Sequence, residues 1–317
     1  MRKSQPVIAI LGPTAVGKTR ISIPLAERFD GEIVSVDSRL IYRGMDIGTA
    51  KPTSEERARV PHHLIDIANP DDTWNLAKFS EAALKVIYDI HRRGRVAFLV
   101  GGTGQYLKAI LEGWNPPATA ESPGLREKLE AIAASAGFDA LHRQLQAVDS
   151  ASASRIDPHN VRRVIRALEI FHMTGVPASS QREKNPPLFQ ILRIGLTLPR
   201  AELFQRIDQR IDMMIEAGWI NEVQVLIDRG FSPELPSLSA IGYAQLSAYL
   251  AGEMDLDSAI VEIRRLSRQF VRRQANWFKT DDPAIQWFDA VSGVEERISA
   301  VIERWLCAGQ SLNDCNQ

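Results

Sequence analysis

The chain has 317 residues and a net charge of −1, with 44% hydrophobic and 24% charged residues. That length suits one large α/β domain with an insertion, or two domains. The composition is that of an ordinary globular protein, and no run reaches the roughly 18–20 apolar residues that a membrane helix needs. The start, Met1 to Pro6, leads directly into a short apolar run, so no signal peptide is expected. Cys307 and Cys315 lack a second cysteine pair or flanking histidines, so reduced thiols in a cytoplasmic protein are expected and a zinc site is not.

In chain order, Val7–Leu11 is an apolar, β-branched run that predicts a buried parallel strand. Lys18–Arg28 predicts a helix. Glu32–Val36 predicts a second strand ending at Asp37, and Arg95–Val100 a third, stopped by Gly101 and Gly102. Tyr106–Leu111 restarts a helix. Such alternation predicts βαβ units and a parallel sheet, with ligands outside the carboxyl ends of the strands. The stretch 118–153 is rich in Ala, Leu, Glu and Gln at helical spacing, and Asn160–Met173 continues as an amphipathic helix. Pro186 and Pro187 mark a break. Gln190–Leu198 reads as a returning strand, and residues 200–306 as mostly helical. The expected fold is α/β: a P-loop NTPase-like parallel sheet flanked by helices, with an inserted all-helical domain and a helical C-terminal region. The expected division is 1–118 and 189–317 for the core and 119–188 for the insertion.

Three motifs fall at strand ends. Gly12, Pro13, Thr14, Ala15, Val16, Gly17, Lys18 and Thr19 fit GxxxxGK[ST], a loop whose backbone N–H groups and following helix N-terminus cradle a diphosphate or triphosphate. Lys18 supplies a point charge, and the Thr19 hydroxyl can hold Mg²⁺. Asp37 can bind Mg²⁺, act as a general base, or simply cap a turn. Gly101, Gly102, Thr103 and Gly104 form a compact turn without the acidic residue usual at such a strand end in motor-type ATPases. Thr103 can hydrogen-bond a ligand there, and tight helix–strand packing explains the glycines equally well.

Cations are unevenly spread. Arg264, Arg265, Arg268, Arg272, Arg273 and Lys279 stand against one acid, Glu262, in a stretch whose Ile263, Leu266, Phe270 and Trp277 are spaced to face the core. Arg155, Arg162, Arg163 and Arg166 form a second group, opposed by Asp157. One such run is usually a solvated helix face. Two of them beside a phosphate loop point toward a polyanion.

At these residues the chain resembles the bacterial tRNA dimethylallyltransferase (tRNA isopentenyltransferase) family, over about residues 6–305. The matching strings are GPTAVGKT at 12–19, DSRLIYRGMDIGTAKP at 37–52, PHHLIDI at 61–67, GGTG at 101–104, NVRRVIRALE at 160–169, GWINEVQVL at 218–226, AIGY at 240–243 and RRQANWFK at 272–279. The resemblance implies transfer of a dimethylallyl group from dimethylallyl diphosphate to N6 of the adenosine 3′ to the anticodon, by a cytoplasmic enzyme, expected to be a monomer, with Mg²⁺ as cofactor. It implies that the P-loop and Arg210 bind the donor diphosphate, with Arg206 close by as the alternative. It implies that Asp37 is the base and that Thr103 lies beside the reacting centre. The tRNA anticodon stem-loop is expected at Asp37, Ser38, Arg39, Leu40, Thr103 and Arg126. It is also expected at Arg162, Arg163, Val164, Ile165 and Arg166, at Ala240, Ile241, Gly242, Tyr243, Ala244 and Gln245, and at Arg272, Arg273, Gln274, Ala275, Asn276, Trp277, Phe278 and Lys279. Leu40 replaces a frequent glutamine and Val16 a frequent serine. Arg272, Asn276 and Lys279 replace frequent Lys, Thr and Arg. The zinc finger of eukaryotic relatives is absent. Competing readings are a P-loop small-molecule kinase, a transferase acting on free adenylate, and a non-catalytic nucleotide-gated RNA-binding protein.

Overall fold

The computed structural model describes residues 5–114, 123–181 and 189–314. The chain begins with β1 (Pro6–Leu11) and α1 (Lys18–Arg28). Next come β2 (Gly31–Val36), α2 (Ser54–Arg59), β3 (His62–His63), α3 (Leu76–Arg92), β4 (Val96–Gly101) and α4 (Gly104–Leu111). Four helices follow: α5 (Pro123–Ala136), α6 (Phe138–Val148), α7 (Ser150–Ala153) and α8 (Val161–Thr174). β5 (Gln190–Thr197) is followed by α9 (Arg200–Glu216), α10 (Trp219–Asp228), α11 (Tyr243–Leu250), α12 (Leu256–Ala275), β6 (Gln286–Asp289) and α13 (Val294–Asp314). The expected helix 118–122 and the Pro186–Pro187 break lie outside the described residues.

The strands form one parallel sheet in the order β3-β2-β4-β1-β5-β6. β1, β2 and β4 are buried on both faces, which explains the nearly unbroken apolar sequences of β1 and β4. Ile8, Ile10, Ile33, Phe98 and Val100 pack on one face with residues of α1, α9, α10 and α12. Val7, Ala9, Val34 and Leu99 pack on the other with α3 and α4. The chain crosses from β1 over β4 to β2, and later adds β5 on the opposite side of β1. This reversal opens a crevice at the carboxyl end of β1, the usual place for a ligand in such sheets.

The chain divides into two compact units, residues 1–111 with 187–317, and residues 112–186. The second has its own core of Leu129, Leu141, Leu145, Val164, Ile165 and Leu168. Within it Asp149 caps α7 through Ser152 N–H and also accepts from Ser179 N–H, each at 2.9 Å.

Residues 200–306 are mostly helical, as expected, but they also contain a strand the sequence did not reveal: β6 pairs with β5 from Ile194↔Gln286 to Thr197↔Asp289. A four-residue edge strand between helices is too short to show a period of its own. The apolar spacing around α12 needs partial correction. Ile263 is buried and Trp277 packs half-buried against the core as expected, whereas Leu266 and Phe270 are only half-buried and Ala259, Val271 and Gln274 take the buried face.

Candidate active site

The P-loop lies between β1 and α1. Gly12 takes φ +148°, and a Cβ there would stand 2.7 Å from the Leu196 carbonyl oxygen, so close strand packing demands glycine. Gly17 takes φ +100° and starts α1. Val16 is fully buried, so this departure from serine sits in the core and not toward a ligand. Lys18 folds back and donates to the carbonyl oxygens of Gly12 and Pro13 at 2.9 and 2.8 Å. Burial pushes its ammonium down to about 8, against the pull of Asp37, with Arg210 adding repulsion. It is thus a cation held ready at the cost of desolvation.

Asp37 leaves β2 on the same edge. Its carboxylate accepts the Arg39 N–H at 2.8 Å, an Asx turn that fixes the side chain while leaving further lone pairs. Thr103, after β4, accepts the Ser38 N–H at 3.2 Å through Oγ1, which places the hydroxyl beside the Asp37 turn. Arg210 projects from α9. Burial lowers its pKa from the ordinary arginine value, with Asp37 opposing. Arg206, one turn earlier, is paired with Glu202 at 2.7 Å. These groups converge on a cleft of about 960 Å³, lined on its polar side by Thr14, Ala15, Gly17, Lys18, Thr19, Asp37, Ser38, Thr103 and Arg210. Its apolar side is Leu40, Ile211, Met213, Met214, Trp219, Ala240, Ile241 and Phe270. A cleft with an anion cradle, a carboxylate and an apolar wall can hold a diphosphate ester of a hydrocarbon and a second reactant at once.

The other residues singled out in the sequence are placed less uniformly. Arg39 lines the cleft and donates to the Pro236 and Ser237 carbonyl oxygens at 2.5 and 3.1 Å. Gly242 takes φ +95° at the start of α11. Its N–H donates to Gln245 Oε1 at 2.8 Å. Ala244 is half-buried. Tyr243 is fully buried, with its hydroxyl on Glu222 at 2.6 Å, so its side chain is committed to the core and not to a partner. The same holds for Phe278. Arg272, Arg273, Ala275, Asn276 and Lys279 are exposed, and Arg273 also lines the cleft. Gln274 is buried.

In the helical unit Arg162 and Arg163 are exposed, while Val164 and Ile165 are core residues. Arg126 and Arg166 share the buried Glu169, the former through two bonds of 2.9 and 3.0 Å.

The basic face of α12 is smaller than its own sequence suggests. Arg268 and Arg264 pair with Asp208 and Asp212 of α9. Arg265 pairs with Glu262 through two bonds of 2.7 Å. Counting charges along one helix missed acids brought in by another. Among the described residues, the exposed cations of this stretch that pair with no acid are Arg272, Arg273 and Lys279, all near its C-terminal end. Sequence reasoning also missed the cleft wall made by Trp219, Met213 and Met214, because no short motif marks an apolar wall assembled from two helices.

A family model described as IPP transferase matches residues 40–281, more than half of the chain. The chain belongs to the IPP transferase family. Curated relatives include the tRNA dimethylallyltransferase of Roseiflexus sp. (strain RS-1), 48% identical over 96% of this chain and 99% of the relative. That of Chloroflexus aurantiacus is 52% identical over 87% and 93%. Among solved structures, the full-length tRNA isopentenylpyrophosphate transferase of Bacillus halodurans superposes with a TM-score of 0.73 at 42% identity, covering 98% of this chain and 99% of that one. A eukaryotic dimethylallyltransferase captured acting on tRNA gives a TM-score of 0.81 at 28% identity, over 96% and 80%. This family membership fits the P-loop NTPase-like α/β fold and identifies the chain as a transferase. No described helix is long and apolar enough to cross a membrane.

Proposed function

We propose that this chain transfers the dimethylallyl group of dimethylallyl diphosphate to N6 of the adenosine 3′ to the anticodon of tRNA. The observation that carries this reading is that Lys18 and Arg210 on the cradle side and Asp37 on the other feel one another across a single cleft. The adenine amine is a weak nucleophile because its lone pair is delocalised into the ring. Asp37 accepts a hydrogen bond from N6 and then its proton. The new N6–carbon bond forms as the allylic C–O bond breaks, and diphosphate leaves with the bonding pair. The P-loop N–H groups, Lys18 and Arg210 stabilise the charge where it gathers. Thr103 orients the amine beside Asp37. The target base must leave the anticodon stack to reach the cleft, at a cost of a few kcal/mol. Arg162, Arg163, Arg272, Arg273 and Lys279 are the exposed cations available to grip the RNA backbone.

Mg²⁺ fits the oxygen chemistry of this site. Among the described residues no cluster of three or more His, Cys, Asp or Glu side chains could hold a metal by itself. Thr19, in the first turn of α1, and the donor's own oxygens would therefore hold the ion, as is usual for magnesium on phosphates. When bound, it supplies positive charge to the departing diphosphate.

The test is to incubate the protein with dimethylallyl diphosphate, Mg²⁺, ATP and either tRNA or AMP, follow the ATP, digest the RNA and weigh the nucleosides. The expected result is a dimethylallylated adenosine from tRNA alone, without ATP consumption. Unmodified tRNA with ATP consumed would reject the reading.

A further inference from the structure

We propose that Gln274 is a positioning residue that locks the donor loop to the turn carrying Thr103. Gln274 is buried in the last turn of α12. Its Oε1 accepts the Thr14 N–H at 2.8 Å, and its Nε2 donates to the Gly102 carbonyl oxygen at 3.0 Å. A backbone N–H can only donate and a backbone carbonyl can only accept, so the two ends of the carboxamide are not interchangeable. Glutamate in its ionised form would face the Gly102 oxygen with a second acceptor, and an apolar residue would leave a buried N–H and a buried C=O unpaired. Of the common side chains of this length, only glutamine satisfies both.

The consequence is a continuous connection across the cleft edge. It runs from the P-loop through Gln274 to Gly102, then along one peptide bond to Thr103, whose hydroxyl accepts the Ser38 N–H next to Asp37. Two residues further on from Gly102, a Cβ on Gly104 would lie 2.1 Å from Trp277 Cγ, so the end of α12 is also pressed against the start of α4. One side chain thereby sets the separation between the leaving group and the groups that hold the nucleophile. Since an error of about 1 Å in such a separation can cost a hundredfold in rate, this link belongs to the chemical step more than to RNA affinity.

The inference rests on the transferase reading, and the test separates the two. Wild-type protein is first titrated with a non-reactive prenyl thiolodiphosphate and assayed for turnover of an anticodon stem-loop. Failure of both rejects the reading itself. Given both, donor KM, kcat and the RNA Kd measured without donor are compared for Gln274→Met and Gly102→Ala. The latter disturbs the same bond without altering Gln274, because its methyl carbon would stand 2.5 Å from Nε2. Each variant is expected to lower kcat/KM for the donor about tenfold to a hundredfold. The RNA Kd should stay within about twofold, and the double variant should be no worse than the weaker single one, since both remove one link. An RNA Kd that rises while kcat and donor KM hold would make Gln274 an RNA contact and overturn the proposal. So would losses that multiply in the double variant. If Gln274→Met does not fold, Gly102→Ala decides by the same split.

Discussion

The two ends of β2 treat a carboxylate in opposite ways. At its beginning, Glu32 has no exposed surface and is held by Arg93, Arg95 and His63. Burial by itself would raise its pKa, but hydrogen bonds from Arg93, His63 and Arg95 win and bring it down to about 2. Just beyond its other end, Asp37 opens onto a cleft, with one backbone N–H on its carboxylate and two cations, Lys18 and Arg210, near enough to feel its charge. Five residues apart along β2 and its end, the first carboxylate has its lone pairs committed and can only hold the sheet together. The second keeps the acceptor capacity that the proposed reaction requires. The difference between a structural acid and one proposed for chemistry lies in how many partners are already spoken for.

This contrast can be broken from either end. The largest effect is expected at Asp37: Asp37→Ala should lower kcat by about a hundredfold or more while stem-loop binding, measured by titration, persists. Unchanged turnover would remove Asp37 as the base. Next, Glu32→Ala should cost about 2 kcal/mol in denaturant unfolding with kcat intact, the loss expected for charge-assisted bonds to partly exposed arginines. The sign with pH follows from the lowered pKa. Glu32's contribution is full above the ordinary carboxylate value of 4.5 and fades as pH falls toward 2. Smaller again is the titration of Lys18. The ammonium is charged below about pH 8 and neutral above it, so kcat/KM for the donor should fall about tenfold per unit on the alkaline side. A flat profile to pH 9.5 would show that the loop N–H groups and Arg210 suffice. The smallest effect is at His63: His63→Ala should destabilise by about 1 kcal/mol, because both arginines still hold Glu32.

Much of the site was legible in the sequence because its signals are local. The P-loop needs glycine where the backbone meets Leu196, and it needs a lysine at the start of a helix, so spacing alone revealed it. Asp37 and the Gly101–Gly104 turn were legible as strand ends. Gln274 was legible only as one letter in an RRQANWFK string, since its partners are 260 and 172 residues away. The α12 arginines misled for the same reason: Asp208 and Asp212 are remote in sequence and adjacent in space. Glu32 gave no sign of its burial, because a glutamate opening a strand is normally solvated.

By itself, then, the sequence determined the parallel α/β core, the P-loop turn between β1 and α1 and the mainly helical character of the insertion, because short-range backbone preferences and hydrophobic periodicity specify these. Tertiary structure alone decided which charges are neutralised, which stay available and which side chain ties the motifs together. Coulomb energy and hydrogen bonding depend on distance and desolvation, and neither is set until distant segments meet.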